Sequence, residues 1–214
     1  MAKPSLRVVD AWTMERPMPP TDLRIGGEFR PAPDVAKWLV DAFIAQDATM
    51  RNDDHAHLRD ANIGVLWTNV DNNRQMRTVL ATAEIPTFRC GAWQKARQEQ
   101  QLEEWFGDIP DFLLTFQAGW AETVSDIEWC AVAEHELFHC SQARDAFGMP
   151  KFKADGSPSY ALKGHDVEEF IGVVRRYGAV SSEVRAMVDA ALVGERVPDI
   201  DIARSCGACM SAAA

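Results

Sequence analysis

No run of apolar residues in this 214-residue chain approaches the roughly 20 needed for a helix to cross a bilayer, so no membrane association is expected. Cysteine is sparse as well. The five present, at positions 90, 130, 140, 206 and 209, are odd in number and irregularly spaced, which argues against a disulfide framework. Basic residues are outnumbered, 22 Lys and Arg against 32 Asp and Glu, for a net charge of −10. A broad phosphate-binding face needs clustered cations, so nucleic acid is not an expected partner. Glycine-rich phosphate loops and internal repeats are missing too. The segment Met1-Ala2-Lys3-Pro4-Ser5-Leu6-Arg7 has none of the long apolar stretch of a secretory signal, and the expectation is a cytoplasmic protein. What remains is ordinary globular usage, 47% apolar and 25% charged, in a chain long enough to bury a core without a metal or disulfide staple.

Residues 1–34 are rich in proline, with Met18-Pro19-Pro20 and Arg30-Pro31-Ala32-Pro33 bracketing Ile25-Gly26-Gly27. Proline fixes φ and removes an amide donor, so this stretch reads as an extended lead-in lying on the domain. Residues 35–193 carry the folded domain, and 194–214 thin into a small-residue tail expected to be mobile. Within the domain, Asp34 reads as the cap of a helix bearing Val35, Trp38, Leu39, Ala42 and Phe43 at helical spacing. Strands are expected at 62–70, 77–85 and 111–117, and a polar-faced helix at 93–106, stopped by Gly107-Asp108-Ile109-Pro110. Ser125-Asp126-Ile127-Glu128 has the capping-box pattern, predicting a helix from there to about Ala146, before Gly148-Met149-Pro150. A polar loop over 151–164 and amphipathic helices over 166–177 and 181–193 complete an α+β pattern.

Inside the capped helix lies Glu134-His135-Glu136-Leu137-Phe138-His139, a His-Glu-x-x-His motif. Residues four apart on a helix lie nearly above one another, so His135 and His139 can offer ring nitrogens to one metal ion. Zinc favours imidazole nitrogen in a tetrahedral shell and, in catalytic sites, keeps one position open. Glu136 lies about 100° around the helix from His135, a poor place for a ligand but suited to a general base acting on water at the metal. The apolar flanks Trp129, Val132, Ala133 and Leu137 predict a buried segment. The apolar strand at 111–117 is expected to border the cleft as a sheet edge able to pair with a peptide.

A catalytic zinc needs a third protein ligand. His165 follows His139 by 26 residues, at the start of the next helix. Asp166 is the alternative, with Glu168 and Glu169 behind it, because carboxylate oxygen also binds zinc. Asp166 and Glu169 also read as a capping pair.

Three segments, His135-Glu136-Leu137-Phe138-His139-Cys140, Gly164-His165-Asp166-Val167-Glu168-Glu169-Phe170 and Val174-Arg175-Arg176-Tyr177-Gly178, resemble the phage metallopeptidase family of zincin-like enzymes. The resemblance covers about residues 110–180. It implies a small mixed sheet packed on the motif helix, a bound Zn2+, a peptide or protein substrate, and hydrolysis of peptide bonds. It also places the chain in a bacterial host or a phage. His135, Glu136 and His139 match the shared motif residue by residue. The chain is more distantly similar to SprT-like zincins, in which a histidine stands four positions before the helix phenylalanine; here that position is Asp166. Two other readings follow from the likeness: a binding or regulatory protein that keeps the frame without catalysis, and a DNA-associated protease. The second sits poorly with the acidic balance. After His139, the stretch Cys140-Ser141-Gln142-Ala143-Arg144-Asp145 lacks the Gly-x-x-His extension of metzincins.

Other signals are weaker. Cys206-Gly207-Ala208-Cys209 has the gap of half a zinc knuckle but no partner pair. Cys140 reads as a small buried apolar residue. Asp53-Asp54-His55-Ala56-His57 reads as a solvated charged turn in preference to a second metal site. Trp93, Trp105, Trp120 and Trp129 read as core.

Overall fold

The computed structural model describes residues 15–74, 77–167, 174, 178, 179 and 181–193. Glu168, Glu169, most of the expected helix at 166–177, Cys206, Cys209 and the tail from 194 lie outside the described residues. Strands β1 (Phe29–Pro31), β2 (Ile63–Thr68), β5 (Ala81–Glu84) and β6 (Phe112–Gln117) form a four-stranded sheet in the order β1-β2-β6-β5. The two central strands, β2 and β6, run parallel, with Ile63 opposite Phe112 and Thr68 opposite Gln117. Both outer strands are antiparallel to their neighbours, which makes the sheet mixed. Between β2 and β5, a ribbon of β3 (Asn73–Arg74) and β4 (Arg77–Thr78) folds on itself. The proline-rich stretch supplies β1, where a short strand at the sheet margin tolerates proline.

Alternation along the strands explains the two cores. Phe112, Leu114 and Phe116 face one side of β6 with Val65 and Trp67 of β2, whereas Leu66 and Leu113 face the other. Helix α1 (Pro33–Leu39) and helix α4 (Asp126–His139) cover the first face. Helix α2 (Ala92–Phe106) covers the second through Leu102. Helix α3 (Ala118–Thr123) links β6 to α4, and α5 (Ser182–Val193) is the last helix among the described residues. No helix among the described residues is long and apolar enough to cross a membrane.

Trp129 is the hub that holds α4 to the sheet. Fully buried, its ring lies 4.8 Å from Phe116, 5.5 Å from Trp67, 5.7 Å from Trp120 and 6.1 Å from Trp38, centroid to centroid. A buried tryptophan contributes about 150–250 Å² of covered surface, so this one side chain fixes the helix that carries the motif six residues later. The capping box forms as expected: the Ser125 hydroxyl accepts from the Glu128 amide and the Glu128 carboxylate accepts from the Ser125 amide. From the other side Arg16, 8% exposed, donates to the carbonyls of Ala121 and Val124 at 2.8 Å each and to Asp126 at 2.6 Å.

Several expectations are corrected. Pro33, and not Asp34, opens the first helix, occupying the first-turn position where a missing amide costs nothing. Helix α4 stops at His139, seven residues short of Ala146. Residues 140–145, although Gln142, Ala143 and Arg144 are good helix formers, instead pair across a β finger. There β7 (Cys140–Gln142) lies antiparallel to β8 (Tyr160–Leu162), and residues around 143–151 fold between them: the Ala143 amide donates to Ser159 and the Lys151 amide to Ala143. The expected polar loop over 151–164 is therefore the return leg of this finger. Tertiary pairing overrides local helix propensity here. The strand at 112–117 is interior, and β5 is the sheet margin on that side. Trp93 is 92% exposed and no part of a core.

Candidate metal centre

The finger brings together what the sequence separates. Its two legs close at Cys140 opposite Leu162, and the Lys163 amide donates to the His139 carbonyl at 2.9 Å, so the residues just beyond β8 arrive beside the end of α4. His165 is thereby set against the helical pair. Its Nε2 lies 3.4 Å from the Nε2 of His135, and the Nε2 of His139 lies 3.2 Å from that same nitrogen. Candidate ligand atoms of His135, His139 and His165 all fall within 4.8 Å of one another, a cluster that could hold one metal ion. Asp166 does not join it. Its carboxylate is 70% exposed and pairs with the Lys163 ammonium at 2.6 Å.

Neighbours set the ring states. His139 donates from Nδ1 to the Lys163 carbonyl at 2.7 Å, because a carbonyl oxygen can only accept. With that nitrogen protonated, the neutral ring turns the lone pair of Nε2 toward the cluster, as a metal ligand requires. Lys163 thus grips His139 twice, through its amide and through its carbonyl. Burial, and then the proximity of His139 and His165, pull the His135 imidazole down to about 4, so it is neutral at ordinary pH. Glu136 is fully buried, and His139 is 4% exposed. Cys140 is buried as expected, and burial pushes its thiol and that of Cys130 far up, so neither offers a thiolate to compete for a metal.

The segment Asp53–Leu58, read from sequence as a solvated turn, is a 3-10 helix packed on α4. His55 is 1% exposed, meets Phe138 edge-on with centroids 4.6 Å apart and approaches Glu134 at 3.4 Å. Asn52 donates to that same Glu134 oxygen at 2.8 Å. His57 donates from Nε2 to the Cys140 carbonyl at 2.8 Å, holding the chain just where it leaves the motif. Sequence reasoning missed this brace because a short run of Asp and His reads the same exposed or packed. The Lys163 carbonyl left no sequence signal at all.

These three histidines, two on one helix and one returned by a finger, are a group that could hold one metal ion. The family model described as "Putative phage metallopeptidase" matches residues 36–192, about three quarters of the chain. The chain belongs to this family. Searches of curated proteins and of solved structures return no significant match. As a phage metallopeptidase the chain has a peptide or protein as the implied substrate, and the mixed sheet backed by the motif helix accords with that assignment.

Proposed function

We propose that the chain is a zinc-dependent peptidase in which His135, His139 and His165 hold the metal and Glu136 is the general base. One observation carries the reading above the others. Tetrahedral zinc with bonds of about 2.0–2.1 Å separates its nitrogen ligands by about 3.3–3.4 Å, and the Nε2 of His135 lies 3.2 and 3.4 Å from those of His139 and His165. The all-imidazole donor set also suits zinc, while calcium and magnesium prefer oxygen.

Zinc bound there would lower the pKa of a coordinated water toward about 7 and polarise the scissile carbonyl. Within the protein, the Lys163 carbonyl keeps His139 in its ligating tautomer, and burial keeps His135 neutral. Glu136, one residue beyond His135 and sealed from bulk water, takes the proton of the attacking water and returns it to the leaving amine nitrogen. Its replacement by glutamine keeps shape and removes basicity. Glu136→Gln should bind one zinc per chain like the wild type and lose roughly a hundred- to ten-thousand-fold in turnover of a quenched-fluorescence peptide library. Wild-type turnover by that variant would refute the assignment.

A further inference from the structure

Beside the last residue of β5 lies a cavity of about 290 Å³. It is walled by Ile85 and Phe88 of the segment leaving the strand, by Leu102 and Trp105 of α2, and by Leu113 of β6, with Gln101 at the rim. Leu102 and Leu113 form its buried floor, whereas Ile85, Phe88 and Trp105 are only half-buried and present apolar surface to the opening. The space is enough for one large side chain. Glu84 also lines it, and the lining contains no basic residue.

The position of this cavity gives it meaning. Among the described residues strand β5 ends the sheet on the side where α4 packs, so an extended peptide can add to its outer edge by backbone hydrogen bonds. Side chains of such a peptide alternate between the two faces. On β5 itself, Ala81 and Ala83 turn into the core shared with α4, and on β6 Leu113 turns the other way, toward α2. A peptide that sends one side chain toward the α4 face therefore sends its neighbour toward the α2 face, the face on which the cavity lies.

We infer that this cavity is a specificity pocket for one bulky apolar side chain, leucine or phenylalanine, of a substrate paired along β5. The inference rests on the peptidase reading for its catalytic meaning but not for its binding test. The floor excludes water from an apolar group, and Glu84 at the wall disfavours an acidic one. Because of the alternation, selectivity falls on a single position, with its two immediate neighbours facing the opposite side.

Decapeptides differing at one position among Leu, Phe, Gly, Lys and Glu test this in two ways with the full zinc-loaded chain. Hydrolysis should favour Leu or Phe over Gly by about ten- to a hundredfold in kcat/KM at one position, the value of burying such a side chain. Gln101→Trp, made at the exposed rim, should narrow the opening and cut that ratio severalfold. Trp105→Ala should shift the preference from Leu toward Phe. A flat profile in an active enzyme, or a profile that neither variant alters, would overturn the pocket. Calorimetric binding of the same peptides to Glu136→Gln separates the two ideas. Selective binding that Gln101→Trp removes would sustain the pocket even if no peptide were hydrolysed, and that result would instead count against the peptidase reading. Non-selective binding in that case would overturn both.

Discussion

Replacing Arg16 by alanine should cost more stability than any other single change in the described residues before the first helix, 15–32. The guanidinium is buried, its centre lies 5.7 Å from the Trp129 ring, and it donates to two carbonyls at the α3–α4 joint. Hydrogen bonds from a charged donor contribute about 1.5–3 kcal/mol each, and the abandoned Ala121 carbonyl would remain buried without its partner. The ion pair adds little, since Asp126 is 62% exposed and such pairs are worth about 0–1 kcal/mol. Allowing for non-additivity, the loss should be about 3–4 kcal/mol, or roughly 6–16 °C in Tm at about 2–4 °C per kcal/mol for a chain of this size. Urea titration of the metal-free protein, followed by tryptophan fluorescence, measures it. Arg24→Ala is the control, its side chain being 80% exposed and 3.9 Å from Glu28, and should change stability by less than about 0.5 kcal/mol. Arg16→Lys should recover less than half of the loss, because an ammonium lacks the planar fork that reaches three oxygens. If Arg16→Ala matched Arg24→Ala, the lead-in would be ornamental and the account of how α4 is seated would be wrong.

Two further outcomes bear on the histidine cluster. His165→Ala should lose tightly bound zinc by elemental analysis, whereas Asp166→Ala, whose carboxylate points to Lys163, should keep about one zinc per chain; the opposite pattern would move the third ligand to the aspartate. The pH dependence of the metal-free protein follows from His135, whose folded pKa is pulled down from 6.5 to about 4. Above pH 6.5 it is neutral folded or unfolded and contributes no slope. Below that the unfolded chain binds the extra proton, so the unfolding midpoint should drop as pH falls from about 6.5 to 4, and His135→Gln should flatten this part of the profile.

The candidate site was largely legible because its core is helical and local. His135, Glu136 and His139 are fixed by a four-residue period, and Ser125 with Glu128 announces where the helix starts. The strand expected at 111–117 was equally plain, since Phe112, Leu113, Leu114 and Phe116 between turn signals leave few alternatives, and it forms over 112–117. What the sequence concealed depends on partners distant along the chain. Gln142, Ala143 and Arg144 would extend α4 if left to their own propensity, and only Ser159 and Lys151, 16 and 8 residues beyond Ala143, claim the Ala143 backbone for the finger. Which strand forms the sheet margin is likewise a property of topology, so the strongest strand was taken for the border when it lies inside. His55 and His57 carry no periodic signature, and their burial depends on the face of α4 they meet.

The finger has a consequence for how such chains are compared. His139 sits at the foot of one leg and His165 just past the foot of the other, while the two reversals at the far end are tied by Asp145, which accepts from the Phe147 and Met149 amides, and by Asp155, which accepts from the Ser157 amide. Adding or removing paired residues at those reversals changes the reach of the legs and leaves their feet together. The count of residues from the second histidine to the third is then a measure of arm length, not of site geometry. An alignment that demands a fixed interval there would separate chains whose metal-binding corners are the same, whereas one anchored on the His139–Lys163 tie would reunite them.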